Sequence, residues 1–437
     1  MNRAALKILQ FLLGFAFLLA FSETLLAGHY RFWLHGKIRF PYSVATGDTT
    51  GGSDCWGWTA PDGTEYALMG VRDGIAVVNA HTMQVKAVVP GPETPASYYW
   101  RDVETYRHYA YAVSELTGTN QGLSVIDLQY LPDSVHFVGS FPLNLSGAVT
   151  AHTIAIDTLK GFAYCERSGA TGQPIVILSL ANPEAPTFVG SFGPLGGQSI
   201  HDMFARNDTV FVAEGWDSLA QGSWSVWNCA NKAAPTQITR VIFPGAGYVH
   251  SAWATEDRNF LLTTEEIPAG KTMKVWDIAD LGNIDLRGQY IGAAQIPHNV
   301  YPKGNLVFVS HYEAGVTVVD ISNPDTLVEV ARYDTYPASD LSNYRGCWSA
   351  YPYTGNNFVY ASNLDGWLFV LRFGQVGDLN FDSLLSPADI VLALNCIFAG
   401  SGDCPLEILD ANCDASVTPA DLVLILNAVF NAQPLPC

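Results

Sequence analysis

Positive charge is scarce in this chain: 22 Lys and Arg stand against 41 Asp and Glu over 437 residues, a formal net charge of −19. A nucleic-acid partner is therefore not expected, because phosphates need a basic surface to displace their counterions. Peripheral docking on an anionic membrane is disfavoured on the same ground. Charge of either sign is sparse at 14%, while 49% of residues are hydrophobic, which describes a chain with a large core and not a disordered one. Beyond the first 27 residues no apolar run is long enough to cross a bilayer. A Ser-His-Asp spacing, a phosphate-cradling Gly loop and a CxxC metal pattern are also missing, which removes the usual sequence signs of catalysis.

Residues 1–27 have the layout of an export signal. Arg3 and Lys7 form a positive start, Ile8 to Phe21 an apolar stretch broken by Gln10 and Gly14, and Ala20 with Ser22, or Ala27, offer small residues for cleavage. A retained anchor is the other reading, for which the apolar run is short. Export predicts a secreted or cell-surface protein with no membrane span after signal removal. It also makes the eight cysteines candidate disulfides. Cys396 with Cys404 and Cys413 with Cys437 are the pairings expected in the tail, although spacing alone does not fix connectivity.

From about residue 50 to 373 the sequence repeats itself every 49 residues or so. A strand-like phrase recurs as LSVIDLQYLPDS at Leu123, IVILSLANPEAP at Ile175, WSVWNCANKAAP at Trp224, MKVWDIADLGN at Met273 and VTVVDISNPDT at Val316. β-Branched and aromatic residues fill each phrase, and Asn, Asp or Pro close most of them. Asp127, Asp277 and Asp320 follow the phrase at one phase and are expected to cap its turn. Two strands precede each phrase and one follows it. Four antiparallel strands in seven repeats predict an all-β, seven-bladed β-propeller over residues 28–373. Its last repeat stops after three strands, and KIRFPYSV near the N-terminus is the expected fourth. Cys55 and Cys347 share a phase in the first and last repeats, where a disulfide would staple the seam; Cys165 and Cys229 are expected to be buried thiols.

Several segments carry a family resemblance: SDCWGWTAPDGTEYALMG at Ser53, WRDVETY at Trp100, IHDMF at Ile200, VHSAWATEDRNFLLTTEE at Val249, IPHNVYPKGNLVFVSHYEAGVTVVDISNP at Ile296 and GCWSAYP at Gly346. The region from about 40 to 373 resembles the choice-of-anchor B family, whose repeats are also called LVIVP repeats. The resemblance implies one kind of propeller joined to varied C-terminal attachments, at the cell surface or outside it. It implies no particular activity.

Residues 374–437 contain eight acidic residues and no Lys or Arg. Asp378, Asn380, Asp382, Leu384, Ser386 and Asp389 fall at loop positions 1, 3, 5, 7, 9 and 12, and thirty-two residues on Asp410, Asn412, Asp414, Ser416, Thr418 and Asp421 repeat the pattern. Calcium takes oxygen ligands from those positions, with the seventh supplying its backbone carbonyl. Each loop leads into an apolar helix, ADIVLALNCIF or ADLVLILNAVF. The tail resembles a type I dockerin, a small α-helical EF-hand-like domain, which implies two bound calcium ions and a cohesin-like partner. It departs from an EF-hand at position 6, where Ser383 and Ala415 replace the usual Gly, and at position 12, where Asp replaces Glu as it does in dockerins.

Four of the ten histidines, His152, His201, His250 and His298, share one repeat phase, and Trp56, Arg101 and Trp348 hold it in the other repeats. That position opens the innermost strand, so these side chains are expected around one channel mouth. The second strand returns to the same face with Glu115, Glu166, Glu214, Glu265 and His311, and Asp102, Asp202 and Asn299 are placed to orient imidazoles. Such a cluster suits a glycan or small-molecule ligand, or a transition metal and acid–base chemistry. The same polar residues can equally tie neighbouring repeats together. Trp56, Trp58, Trp100 and Trp348 near the mouth would suit stacking on sugars.

The reading is a secreted, non-catalytic binding or scaffold protein whose calcium-loaded tail attaches it to a partner or surface, with a polysaccharide-degrading assembly as a natural setting. The rival reading is a metal-dependent hydrolase working at the His/Glu mouth.

Overall fold

The hydrophobic phrases form strands that are buried along nearly their whole length, such as Leu123–Asp127, Ile175–Ser179 and Met273–Asp277. Both faces of such a strand are covered, so its sequence is apolar throughout and not alternating. The strand that follows each phrase, such as Gln84–Pro90 or Thr236–Ile242, is largely exposed. A burial gradient therefore runs across every sheet, from inner strands to an outer edge.

The computed structural model describes residues 29–45, 48–95, 98–166, 174–194, 200–216, 221–382, 384–402, 404–431 and 433–436. The expected signal segment lies outside these residues. Five sheets hold four antiparallel strands each. An eight-stranded sheet consists of two further quartets joined through the single pair Gly215 and Val249. A short hairpin pairs Ser43–Ala45 with Asp48–Thr50. The result is a mostly β, propeller-like repeat fold. Among the described residues no helix is long and apolar enough to cross a membrane.

Successive sheets pack face to face. Tyr111 and Val125 of one meet Ile154, Cys165 and Val176 of the next, and Phe211 and Trp224 meet Ala252 and Trp276. The last sheet returns to the first, with Tyr360 and Val370 against Met69 and Val78. Each quartet also carries its own signature. The turn after the third strand is closed by a side chain accepting the backbone N–H two residues on: Asp127 from Gln129 at 2.9 Å, Asp277 from Ala279 at 3.2 Å and Asp320 from Ser322 at 2.7 Å. Asn79, Ser179 and Asn228 do the same in other repeats. This is the turn capping expected of the three aspartates.

The closing strand is Tyr30–Arg39, which pairs with Trp367–Gln375. The expected segment was too far toward the C-terminus: it overlaps this strand only through Lys37–Arg39, and its end enters the Ser43–Ala45 hairpin. Phe32 explains the choice, because its ring packs against Phe308, Tyr333 and Phe373 at 6.4, 6.3 and 4.9 Å.

The expected seam disulfide is absent. Cys55 and Cys347 are free, buried thiols. Cys55 packs with Met69, Val78 and Tyr360, whereas Cys347 packs with Phe308, Val318 and Val359. The two thiols thus belong to different core layers, and each donates to a carbonyl, Tyr360 O and Ser349 O respectively, at 3.4 Å. Cys165 and Cys229 are free and buried, as expected.

The chain divides into two compact units, Phe32–Phe373 and one whose described residues are 29–31 and those from Gly374 onward. In the second, helix Pro387–Leu394 begins at Ser386, whose hydroxyl accepts from Ala388 N while Asp389 accepts from Ser386 N. That reciprocal pair is a capping box, and Pro387 fits the first helical position. The helix widens into a π turn over Asn395–Ala399 and ends at Gly400, whose φ of 59° suits glycine. Cys396 and Cys404 form a disulfide with their Cα atoms 5.6 Å apart. Cys413 is also disulfide-bonded; its expected partner, Cys437, lies outside the described residues. A second helix, Pro419–Asn431, buries Leu422 and Ile425 where the first buries Ile390 and Ala393.

Candidate functional site

The first strand of each quartet lies against the first strand of the next, so residues at its start converge on one central channel. Trp56, Arg101, His152, His201, His250, His298 and Trp348 all line it. The four imidazoles run in an unbroken row, with ring centroids 4.4 Å apart from His152 to His201, 3.8 Å to His250 and 4.1 Å to His298. Trp348 continues the row 4.6 Å beyond and stacks on Trp100, which stacks on Tyr98.

Three of these histidines have a fixed tautomer. His201 Nδ1 faces the carbonyl of His250 at 3.1 Å, His250 Nδ1 that of His298 at 3.2 Å, and His298 Nδ1 that of Trp348 at 2.6 Å. A carbonyl oxygen only accepts, so each Nδ1 carries the proton and each Nε2 keeps its lone pair. The row thus ties each repeat to the next. Burial then pushes the pKa of His298 down to about 3 and holds His201 and His250 well below the ordinary imidazole value, with neighbouring histidines adding to the effect. These three rings are neutral at pH 7.

His152 behaves oppositely. Burial works against its charge, yet the hydrogen bond from Nδ1 to Glu115 at 2.7 Å and the pull of Glu115, Glu166 and Asp102 win, raising its pKa to about 9. The folded ring keeps its proton up to that pH, whereas an unfolded one releases it near 6.5. Its contribution to stability is complete below about 6.5 and drains away as pH rises to about 9. A His152→Gln variant should therefore lose less stability than wild type across that window, by on the order of 1–3 kcal/mol, measured by urea denaturation at both ends. Equal slopes would refute the assignment.

Deeper in the channel Asp54, Asp102, Glu104 and Asp202 line the wall. Burial raises Asp54 to about 7 and Asp202 to about 6, and holds Asp102 and Glu104 well above the carboxylate range. Asp54, Asp102 and Glu104 accept from backbone N–H groups of the following repeat, Val103 at 3.3 Å, Ile154 at 2.7 Å and Ile156 at 2.8 Å. Asp202 accepts from its own neighbour Met203. The expectation that Asp102 and Asp202 orient imidazoles is thus corrected: they accept backbone donors. Asn299 reaches the Trp348 carbonyl at 3.4 Å.

Other expected members of the mouth lie elsewhere. Glu214 accepts from Ser223 at 2.7 Å and pairs with Arg240, and Glu265 pairs with Lys274 and accepts from Gly247 N. Each carboxylate meets a cation on its own sheet, and neither lines the channel. His311 is fully buried beside Tyr290, with neither ring nitrogen hydrogen-bonded among the described residues and its pKa lowered by burial to about 4; it too is outside the channel wall. Trp58 is a core residue donating to Arg107 O at 2.9 Å. Trp56 packs on Tyr351 and Trp253. Arg101 lines the channel, but its guanidinium is turned onto the Val71, Arg72 and Pro92 carbonyls. Free space among the lining side chains amounts to roughly a few waters, too little for a sugar ring inside the channel.

Sequence reasoning missed Glu266. It follows Glu265, at the end of the second strand, where alternation of side chains puts successive residues on opposite faces. Its Oε2 lies 3.9 Å from His250 Nε2, and Tyr312 donates its hydroxyl to Oε1 at 2.6 Å. The signal that could have found it is the doubled Glu in TTEE, which offers a carboxylate to both faces.

In the tail the two loops are wound alike. Asp382 N donates to Asp378 and Asn380, and Asp414 N to Asp410 and Asn412. Asp389 accepts from Leu379 N, Asn380 N and Ser386 N; Asp421 accepts from Ala411 N, Asn412 N and Thr418 N. Leu384 N and Ser416 N donate to Asp382 and Asp414. Ala415, at the position where an EF-hand has Gly, holds φ at 63°, the left-handed conformation that glycine adopts without strain.

Comparison with known proteins finds the LVIVD repeat family at residues 297–335, which span the quartet that begins with Val300–Lys303. No curated protein matches the chain. Among solved structures, hydrazine synthase from Kuenenia stuttgartiensis is similar with 14% identity and a TM-score of 0.48, over 72% of this chain and 94% of that one.

Proposed function

We propose that this is an exported, non-catalytic binding protein, in which a seven-bladed propeller presents a ligand face and a dockerin-like tail holds two calcium ions and docks a partner. The observation that carries the reading is the twin-loop tail. Asp378, Asp389, Asp410 and Asp421 are at most 4% exposed, in a segment that contains no Lys or Arg. Carboxylates repeated at these loop positions suit a hard divalent cation. Each loop offers only oxygen donors, from Asp378, Asn380, Asp382, Leu384 O and Asp389 or from Asp410, Asn412, Asp414, Ser416 O and Asp421, which fits calcium. Ser386 and Thr418 complete the ninth position, directly or through water.

The docking surface follows from the same repetition. Val391 and Phe398 on the first helical segment are 57% and 65% exposed, and their counterparts Val423 and Phe430 on the second are 53% and 64%. Matched exposed apolar pairs on two related helices favour a protein partner of the cohesin kind. On the propeller, closely packed imidazoles committed to repeat-to-repeat hydrogen bonds favour a structural channel over hydrolysis. The Tyr98–Trp100–Trp348 stack offers the aromatic platform for a glycan.

Calorimetric titration of the full chain with Ca2+ tests the reading. Two sites are expected, with Asp389→Ala and Asp421→Ala each removing one. Calcium-independent behaviour of the wild type would make the tail an acidic spacer and end the proposal.

A further inference from the structure

His250 and His298 close one end of the imidazole row with Glu266 beside them, and one nitrogen or oxygen of each of the three lies within 4.8 Å of the other two. His298 is fully buried, and its Nε2 has no hydrogen-bond partner among the described residues. A buried ring nitrogen without a partner costs free energy that a native structure normally avoids. The calcium reading of the tail does not account for it, nor do the repeat-to-repeat hydrogen bonds, which use Nδ1 alone.

We infer that these three side chains form a transition-metal site in the wall of the propeller channel, with His250 Nε2, His298 Nε2 and Glu266 Oε2 as ligands of a divalent ion of the zinc or ferrous type. Two imidazoles and one carboxylate are a donor set suited to such ions and unsuited to calcium, which takes oxygen. Both imidazoles already donate Nδ1–H to a backbone carbonyl, at 3.2 and 2.6 Å, the outer contact that aims Nε2 at a metal. Tyr312 does the same for Glu266, holding Oε1 at 2.6 Å and leaving Oε2 toward His250. With Nδ1 carrying the proton on both rings, each Nε2 offers its lone pair.

The fit is close. Ligands about 2.1 Å from zinc stand roughly 3.4 Å apart in a tetrahedral site, against 3.9 Å between His250 Nε2 and Glu266 Oε2. The other separations are at most 4.8 Å, so shifts of up to about 1 Å per atom, within side-chain rotation, would bring the three to the ion. Three protein ligands leave at least one position open for water. The metal would also join one repeat to the next, because His250 and Glu266 come from one quartet and His298 from its neighbour.

The test is a zinc titration of the untagged, chelator-treated full chain with calcium already saturating, followed by cobalt as a spectroscopic probe. Wild type is expected to bind one zinc ion, to gain melting temperature with it, and to give cobalt absorption bands of a nitrogen–oxygen site. Glu266→Gln keeps the shape and the Tyr312 hydrogen bond and should weaken zinc at least about tenfold; Tyr312→Phe, which leaves all three ligands in place, should weaken it by about 10- to 100-fold. No stoichiometric zinc in folded wild type would overturn the site. Zinc binding unchanged in Glu266→Gln would overturn it as well, by placing the ion in the tail loops or elsewhere. Neither result bears on the calcium titration, so the two proposals stand or fall separately.

Discussion

A chain beginning at Phe40 should fail to fold cooperatively, while one beginning at His29 should fold. The strand Tyr30–Arg39 is the edge partner of Trp367–Gln375, in a sheet whose other strands come from the far end of the repeat region. Its removal leaves a three-stranded sheet with a bare edge next to the seam. It also removes the Phe32 ring from Phe308, Tyr333 and Phe373 and takes Ile38 away from the cluster containing Met69 and Tyr360. Phe32 is half-buried, and loss of its packed face costs about 1–3 kcal/mol. The lost ladder bonds add to this, against a total stability of about 5–15 kcal/mol for an ordinary domain. An unpaired hydrophobic edge is also a template for association. Size-exclusion chromatography and urea denaturation of the two chains check the expectation. Matching midpoints and monomeric elution would show that the seam does not need this strand.

The second large effect is expected from Arg101→Ala, at about 3–5 kcal/mol. Arg101 is 3% exposed, and its guanidinium donates to Val71 O at 2.8 Å, Arg72 O at 2.8 Å and Pro92 O at 2.7 Å. Burial lowers its pKa to about 10, with Glu93 and Asp73 opposing the shift, so it remains charged at neutral pH. The side chain joins the second repeat to the turn and linker of the first. Alanine would leave three carbonyls facing an unfilled hole. Lysine should recover less than half of the loss, because a point ammonium lacks the planar fork that reaches all three. Urea midpoints of wild type, Arg101→Ala and Arg101→Lys decide it. A loss under about 1 kcal/mol for alanine would mean that water replaces the guanidinium without penalty.

Both effects expose the boundary between what was legible in the residues and what was not. The repeat phase was legible, since a strand buried on both faces must be apolar throughout and the turn after it must be closed. That is why the phrases at Leu123, Ile175 and Met273, and the capping role of Asp127, Asp277 and Asp320, could be read directly. The seven ring positions were legible too, because equal repeat phase means equal place in equivalent strands, and all seven line one channel. The pairing of Cys396 with Cys404 was favoured by their short separation within a cysteine-dense tail.

Side-chain direction was not legible. Glu265 and Glu266 are adjacent in sequence, yet the pleat sends the first to Lys274 and the second toward His250. Cys55 and Cys347 share a repeat phase and still lie in different core layers. The bulge between the third and fourth strands recurs at Val77/Val78, Val125/Ile126, Ile177/Leu178, Val226/Trp227, Val275/Trp276 and Val318/Val319, yet a glycine faces it in only three of the six, Gly139, Gly190 and Gly288, so no common residue announces it. Arg101 shows the same limit: phase places it at the channel, and only the Val71, Arg72 and Pro92 carbonyls turn its charge away. The sequence by itself determined periodicity, strand order and the oxygen-rich spacing of the tail, because those are set by local patterns along the chain. Which partner each polar side chain takes was decided by tertiary structure alone, because a buried donor or acceptor is satisfied by whatever group packing brings within about 3 Å of it, and those groups come from other repeats.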